Sequence, residues 1–297
     1  MIKIEPQGGL GNQLFIYSIG LANSRRLGVE LVADLWKFVG YDWHDYELSS
    51  FQNAISRESR PRDSLRLLNF KSKITWKLDR FKLWDFFSSS VLETDNQFDS
   101  RFLSVADGAH MKGYFQSWKY LQPIANELRE SVWALTEPSS WFMEKNEEFA
   151  NSGPWIGVHV RLGNYQTLPS MGTVPQEYYE RGLALIAELG HDLPIVVFSD
   201  SPEIAREMGL WRKFSNVSFF DSAPANSPLE TLLLMSRAKH LIIGNSTFSW
   251  WAGWIGHESD RKVIYPRPWL NAKRYDDRDL VMPGWIGLSR EYVSDYE

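Results

Sequence analysis

The chain has 297 residues, 43% of them hydrophobic and 23% charged, which is ordinary for a globular protein with one large or two medium domains. The formal net charge of −5 argues against nucleic acid as the main ligand, because polyanion-binding proteins carry an excess of Lys and Arg. The absence of cysteine excludes a disulfide scaffold, a thiolate nucleophile and a Cys-ligated zinc site.

The chain shows no targeting or membrane-spanning pattern. Residue 1 leads directly into a strand pattern without an apolar signal core. The most apolar stretch, residues 241–256, is interrupted by polar side chains and is too short to span a bilayer. We therefore expect a cytoplasmic protein.

The first 34 residues predict a strand-helix-strand unit. Its elements are a strand at 2–4, a glycine-rich turn at 7–11, a helix at 12–27 capped by Gly28, and a strand at 29–33. Residues 36–150 show less regular patterns, apart from a helix between Pro123 and Thr136.

Turn residues at 151–154 predict a boundary between an acceptor-side domain, 1–150, and a donor-binding domain, 151–297. Strands and helices alternate after this boundary. The predicted strands are 155–160, 194–198, 217–220, 240–244 and 262–265, and the helices are 175–189, 202–208, 228–238 and 247–255. This alternation predicts an α/β, Rossmann-like domain with a parallel sheet.

Polar residues follow the predicted strands, where ligands bind in open parallel sheets. Arg161, two residues after His159, can form charge-assisted bonds to a diphosphate or can pair with a nearby carboxylate. Asp200 can accept hydrogen bonds from guanine or can cap the helix that begins at Pro202. Both alternatives are open for each residue.

Two turns between a strand and a helix are candidate anion sites. In the first, Gly9 and Gly11 allow close approach of a ligand to the backbone, or they form a tight turn only. In the second, Asn245 is followed by Ser246 or Thr247 as an N-cap, which leaves helical N–H groups for a phosphate or makes an ordinary capped helix.

Two common site types are disfavoured. Leu14 stands where a dinucleotide-binding motif needs its third glycine, and no Lys-Ser/Thr pair follows to make a phosphate loop. The Asp277-Arg278-Asp279 segment has the D-x-D pattern of metal-dependent transferases, but it lies in a charged stretch that we interpret as a solvated loop. We therefore predict no metal and no other cofactor.

Taken together, these segments resemble the α-1,2-fucosyltransferase family of bacteria and animals almost end to end. The matching motifs are 8–15, 113–120, 159–165, 198–200 and 234–251. The resemblance implies a GT-B fold, with two facing Rossmann-like domains and a donor cleft between them. It also implies metal-independent, inverting transfer of L-fucose from GDP-fucose to the 2-hydroxyl of a galactoside in an oligosaccharide or a surface polysaccharide.

The resemblance also implies individual roles. Arg161 would neutralise the leaving diphosphate, and Asn12 would lie across the cleft near the reacting centre. His159 and Asp200 would hold the guanosine. The diphosphate would also be bound by the group Ser246, Thr247 and the amide of Phe248.

The chain departs from the family motif at two positions. Leu162 replaces a usual Arg, and Asn164 replaces a usual Asp. An amide does not take up a proton near neutral pH, so Asn164 cannot act as a general base. Either the acceptor proton leaves late, to phosphate or water, or another carboxylate such as Asp34 accepts it. A catalytically silent GDP-sugar-binding protein and a transferase for another GDP-deoxyhexose are the alternatives.

Residues 57–82 contain nine Lys or Arg and three acidic residues, interleaved with apolar ones. A solvated helix packed on the first domain explains this pattern. A basic amphipathic helix at the inner face of the membrane, near a lipid-linked acceptor, is the alternative.

The solvated-helix interpretation predicts that liposomes with anionic lipid do not pull down the protein at low salt. Co-sedimentation that salt reverses would instead support the membrane-surface alternative.

Overall fold

The computed structural model describes residues 1–38, 44–51, 55–59, 90–134, 137–168, 170–190, 192–221, 228–256, 260–271 and 276–290. Its contacts divide the chain into two compact units, Met1–Leu135 and Thr136–Glu297. Of the basic stretch at 57–82, only residues 57–59 are among those described. No helix within the described ranges is both long and apolar enough to cross a membrane.

The first unit is built on a five-stranded parallel sheet. Its strands are β1 (Ile2–Ile4), β2 (Leu31–Asp34), β3 (Arg57–Ser59), β4 (Ser90–Leu92) and β5 (His110–Lys112), and its helices are α1 (Leu10–Leu27) and α2 (Ala125–Trp133). The strand order is β3-β2-β1-β5-β4, and every pair is parallel. The carboxyl ends of β1 and β5 therefore lie side by side.

Helix α1 is the central helix of this unit, and its residues from Leu10 to Ser24 are almost all buried. Gly20 lets it pack closely on the sheet, because a Cβ there would lie 2.6 Å from Ile4 Cγ2 and 2.8 Å from Leu31 Cδ1. Gly28, with a left-handed φ of 64°, ends the helix as the sequence predicts.

The second unit is built on a six-stranded parallel sheet. Its strands are β6 (Ile156–Val160), β7 (Ile195–Ser199), β8 (Val217–Phe219), β9 (His240–Ile242), β10 (Val263–Arg267) and β11 (Ile286–Ser289). Its helices are α3 (Ser140–Asn151), α4 (Gln176–Glu188), α5 (Pro202–Glu207), α6 (Pro228–Met235) and α7 (Thr247–Ile255). The order β8-β7-β6-β9-β10-β11 is the Rossmann order 3-2-1-4-5-6.

The α/β class and the Rossmann-like second domain are confirmed, and one helix and one strand of the second unit were not predicted. Strand β11 adds a sixth strand to the sheet. Helix α3 packs with the second unit, where the Ser139 N–H and hydroxyl both donate to Glu230, at 2.7 and 2.8 Å. The division between the units therefore precedes α3, whereas the sequence placed it after residue 150. The facing arrangement with a donor cleft stays a prediction.

Replacing Gly20 by Ala tests the close packing of α1. Ala in a helix is favoured over Gly by about 1 kcal/mol, but overpacking of a core costs about 1–3 kcal/mol. Because both contacting groups belong to strand residues, we expect a lower free energy of unfolding, measured by urea denaturation. Gly182→Ala is the control, with its nearest contact at 3.1 Å, and should cost less. A stabilised Gly20→Ala protein would contradict this packing.

Candidate active site

The strand order of the second unit reverses between β6 and β9, which both run parallel and pair with each other. Successive crossovers leave such a switch point in opposite directions and open a crevice outside the carboxyl ends of the strands. The residues that follow these two strands are therefore the candidate donor-binding residues. They are Arg161 after β6 and the segment 243–248 after β9.

Arg161 is held in place by two side chains. Its Nη1 lies 2.8 Å from Asp200 Oδ2, and its guanidinium carbon lies 5.0 Å from the centre of the Tyr165 ring. About a fifth of the Arg161 side chain is exposed, at 21%. The guanidinium is thus partly buried at the switch point, where its charge is weakly screened.

Asp200 fixes the turn after β6. Its second oxygen accepts the Leu162 N–H at 2.9 Å. Gly163, with a φ of 24°, lies so close that an added Cβ would be 2.2 Å from Asp200 Oδ2. The sequence predicted a guanine contact or a helix cap for Asp200, and helix α5 has no side-chain cap bond at Ser201. The structure shows a third role, in which Asp200 orients Arg161, and the guanine contact stays a prediction.

His159 is buried next to this turn, with 4% exposure. Its ring lies 5.8 Å from that of Phe248, and its Nδ1 has no hydrogen-bond partner among the described residues. Burial, with a smaller contribution from Arg161, lowers the pKa of His159 to about 3. The imidazole is therefore neutral near pH 7 and offers a buried polar atom to a ligand.

The turn from β9 into α7 carries the predicted phosphate-binding residues. Ser246 caps α7, its hydroxyl oxygen accepting the Phe248 N–H at 3.3 Å, and Thr247 is the first residue of the helix. The Asn245 amide nitrogen donates to the Met171 and Gly172 carbonyls at 2.9 and 3.0 Å. Asn245 Oδ1 is buried without a partner among the described residues. This helix start can bind an anion.

Gly244 brings the two strand ends together. A Cβ on Gly244 would lie 3.1 Å from the His159 carbonyl oxygen and 3.5 Å from Arg161 Cβ. The switch point therefore juxtaposes His159 and Arg161 with the start of α7. Two buried polar atoms there, His159 Nδ1 and Asn245 Oδ1, have no partner in the part of the chain that the structure describes, which is the pattern of a site that a polar ligand completes.

The first unit places Asn12 in the first turn of α1. Its Oδ1 accepts a hydrogen bond from Gln116 Nε2 at 2.9 Å. Gly9 precedes the helix beside the His44 ring, and Gly11 is buried in the first turn. The glycines thus form a compact helix start, and a ligand contact at this turn stays a prediction.

Asp34 ends β2 as predicted, but its carboxylate already has partners. Lys3 Nζ lies 2.6 Å from Oδ2, and the Trp36 N–H donates to Oδ1 at 3.1 Å. Asp34, Glu5 and His110 bring potential ligand atoms within 4.8 Å of one another. Lys3 pairs with Asp34, and Lys112 and His110 lie beside Glu5, so both carboxylates already have partners within the protein. The role of Asp34 as a base stays a prediction.

Asn164 lies in the 3-10 helix Gly163–Thr167, directly after the Arg161 turn. The segment with the D-x-D pattern is not the solvated loop that its charge predicted. Asp279 is only 7% exposed, and Asp277 accepts the Trp269 N–H at 3.1 Å. Pattern alone missed this bond because Trp269 lies outside the charged stretch.

Residues 47–289, most of the chain, match the model of glycosyl transferase family 11. The chain belongs to this family. It is therefore a glycosyltransferase.

Relatives of this family 11 chain include two from Escherichia coli. It is 26% identical to the O-antigen biosynthesis glycosyltransferase WbnK, over 95% of this chain and 98% of the relative. It is 24% identical to an alpha-1,2-colitosyltransferase, over 95% and 97%. A galactoside alpha-(1,2)-fucosyltransferase 1 from Saimiri boliviensis boliviensis is 23% identical, over 61% of this chain and 52% of the relative.

Three buried or half-buried residues of this transferase escaped sequence reasoning. Gln13 is fully buried and ties the turn at Gly8 to residues 45–47. Arg290, 5% exposed, donates to the carbonyls that flank Gly172. Glu93 holds the backbone after β5. Arg290 lies beyond the last predicted strand and carries no periodic signal, whereas Gln13 stands within the motif at 8–15.

The buried His159 predicts a specific pH dependence of stability. Its pKa is lower in the folded state than the ordinary unfolded value of about 6.5, so the unfolded chain binds more protons below that pH. The free energy of unfolding is therefore highest, as far as His159 is concerned, above pH 6.5. It falls by about 1.4 kcal/mol per pH unit as the pH drops from 6.5 towards 3. His159→Gln should flatten the unfolding free energy between pH 6.5 and 4.5. Parallel profiles for the two proteins would contradict the buried neutral imidazole.

Proposed function

We propose that this protein transfers L-fucose from GDP-fucose to the 2-hydroxyl of a galactoside, with inversion at the anomeric carbon. The observation that supports the proposal is Arg161 at the switch point, beside the start of α7. A guanidinium and the N–H groups at a helix start are suited to a diphosphate leaving group. The relatives named for alpha-1,2 transfer support the linkage.

In this reaction the acceptor oxygen attacks the anomeric carbon while the bond from that carbon to the diphosphate oxygen breaks. Arg161 and the Thr247–Phe248 amides would stabilise the negative charge that develops on GDP. The unpartnered Nδ1 of His159 would bind the nucleoside. Asn12, at the start of α1, would contact the reacting sugar from the first unit.

The proton of the acceptor hydroxyl needs a route, since Asn164 cannot accept it. Asp34 is already paired with Lys3, which makes it a poor acceptor for this proton. We therefore favour late loss of the proton to the departing phosphate or to water. Because no step in this scheme needs a Lewis acid, we propose that the transfer proceeds without a metal.

The first experiment incubates the purified protein with GDP-fucose, EDTA and a panel of β-galactosides. We expect acceptor-dependent release of GDP and an α-1,2 linkage in the product by NMR. Release only with another GDP-deoxyhexose would assign a different donor, a possibility that the colitosyltransferase relative raises. Binding of GDP without any transfer would favour the silent-binder alternative.

Arg161→Ala tests the leaving-group assignment. Removing one preorganised charge-stabilising group lowers kcat by about 100- to 1000-fold in comparable sites. We expect that loss with the melting temperature little changed, and a smaller loss for Arg161→Lys. A control at Arg101, an exposed residue paired with Asp99, should leave kcat unchanged. An active Arg161→Ala protein would refute the assignment.

A further inference from the structure

The segment Gly113–Ser117, directly after β5, is held by a carboxylate from the neighbouring strand. Strands β4 and β5 are parallel, with Leu92 opposite Lys112, so Glu93 lies opposite Gly113. One oxygen of Glu93, Oε2, accepts the N–H groups of Tyr114 and Phe115 at 2.6 and 2.9 Å. Charged acceptors make the stronger class of hydrogen bond, so this contact fixes the backbone of the segment.

The conformation that Glu93 holds is an unfavourable one. Phe115 has a φ of 51°. Within the described ranges it is the only residue other than glycine with a positive φ. It is fully buried and packs edge-to-face on Phe102 at 5.2 Å. Gly113, with a φ of 155°, has no room for a side chain, because a Cβ would lie 2.4 Å from Glu93 Cβ. Such strain persists where neighbours enforce it, and it concentrates at functional sites.

The strained segment places the Gln116 side chain in contact with the start of α1. The Ser117 N–H donates to the Phe115 carbonyl at 2.8 Å, which closes a three-residue turn around Gln116. From this turn, Gln116 Nε2 donates to Asn12 Oδ1 at 2.9 Å. With this bond, the Asn12 oxygen faces Gln116 and its nitrogen faces Gly8, where an added Cβ would lie 2.5 Å away.

We propose that Glu93 and Gln116 are positioning residues for the transfer reaction and act through Asn12. Glu93 holds the strained segment, and Gln116 sets the orientation of the Asn12 amide. The inference rests on the proposed function, in which Asn12 contacts the reacting sugar.

A double-mutant cycle tests this relay. Glu93→Ala, Gln116→Leu and Asn12→Ala should each lower acceptor-dependent kcat, on the order of 10- to 100-fold for a misplaced group. GDP affinity should not change, because the donor residues belong to the second unit. If Glu93 acts through Asn12, the double variant Glu93→Ala/Asn12→Ala loses no more activity than Asn12→Ala alone. Losses that multiply would overturn the proposal.

Two further variants separate positioning from general stability. Glu93→Gln keeps an oxygen that can accept both N–H groups and should recover part of the kcat that Glu93→Ala loses. Asp99→Ala is the matched control. Asp99 is another carboxylate of the first unit that accepts a backbone N–H, from Arg101 at 2.9 Å. Its loss should leave kcat unchanged. Equal losses in Asp99→Ala and Glu93→Ala would show a structural role only. If Glu93→Ala does not fold, Gln116→Leu with Asn12→Ala completes the same cycle.

Amide hydrogen exchange gives a measurement that does not depend on the donor. Exchange at 114–117 should accelerate in Glu93→Ala and not in Asp99→Ala. If the wild-type protein releases no GDP from GDP-fucose, the proposed function fails, and the cycle is run with the donor that it does use. With no active donor, unchanged exchange in Glu93→Ala overturns the inference by itself.

Discussion

Strand β6 is buried along its whole length and paired on both edges, with β7 on one side and β9 on the other. A one-residue shift of such a strand would move every side chain to the opposite face of the sheet and break its packing on both sides. Its last residues therefore have fixed directions. Arg161 leaves the sheet at the switch point, and the bonds from Asp200 and the ring of Tyr165 keep it there.

Each unit uses a carboxylate to fix the backbone beside a candidate functional side chain, but the side chain differs. In the second unit, a carboxylate at the end of β7 orients a cation, Arg161, and caps the backbone beside it. In the first unit, a carboxylate after β4 caps two N–H groups and, through them, positions a neutral amide. In both, a carboxylate follows one parallel strand and fixes the backbone after its neighbour.

This division suits a transfer reaction between a charged donor and a neutral acceptor. For the proposed donor, the second unit has a partly buried cation, Arg161, beside a helix start, and both are suited to charge stabilisation. In the proposed reaction, the first unit would orient the sugar through Asn12, whose amide is bonded to Gln116. Asn164 fits this view, since a reaction dominated by departure of the diphosphate asks little of a general base.

The sequence by itself determined the α/β class, most of the second unit and the candidate residues after its strands. Local pattern was sufficient there because buried parallel strands and capped helices have strong periodic and turn signals. It missed α3 and β11, whose half-exposed faces give weak patterns. It also missed Glu93, whose role depends on the strand that pairs with β4. Only the tertiary structure decided that Asp200 holds Arg161, because residues 39 positions apart become neighbours only when the sheet has formed.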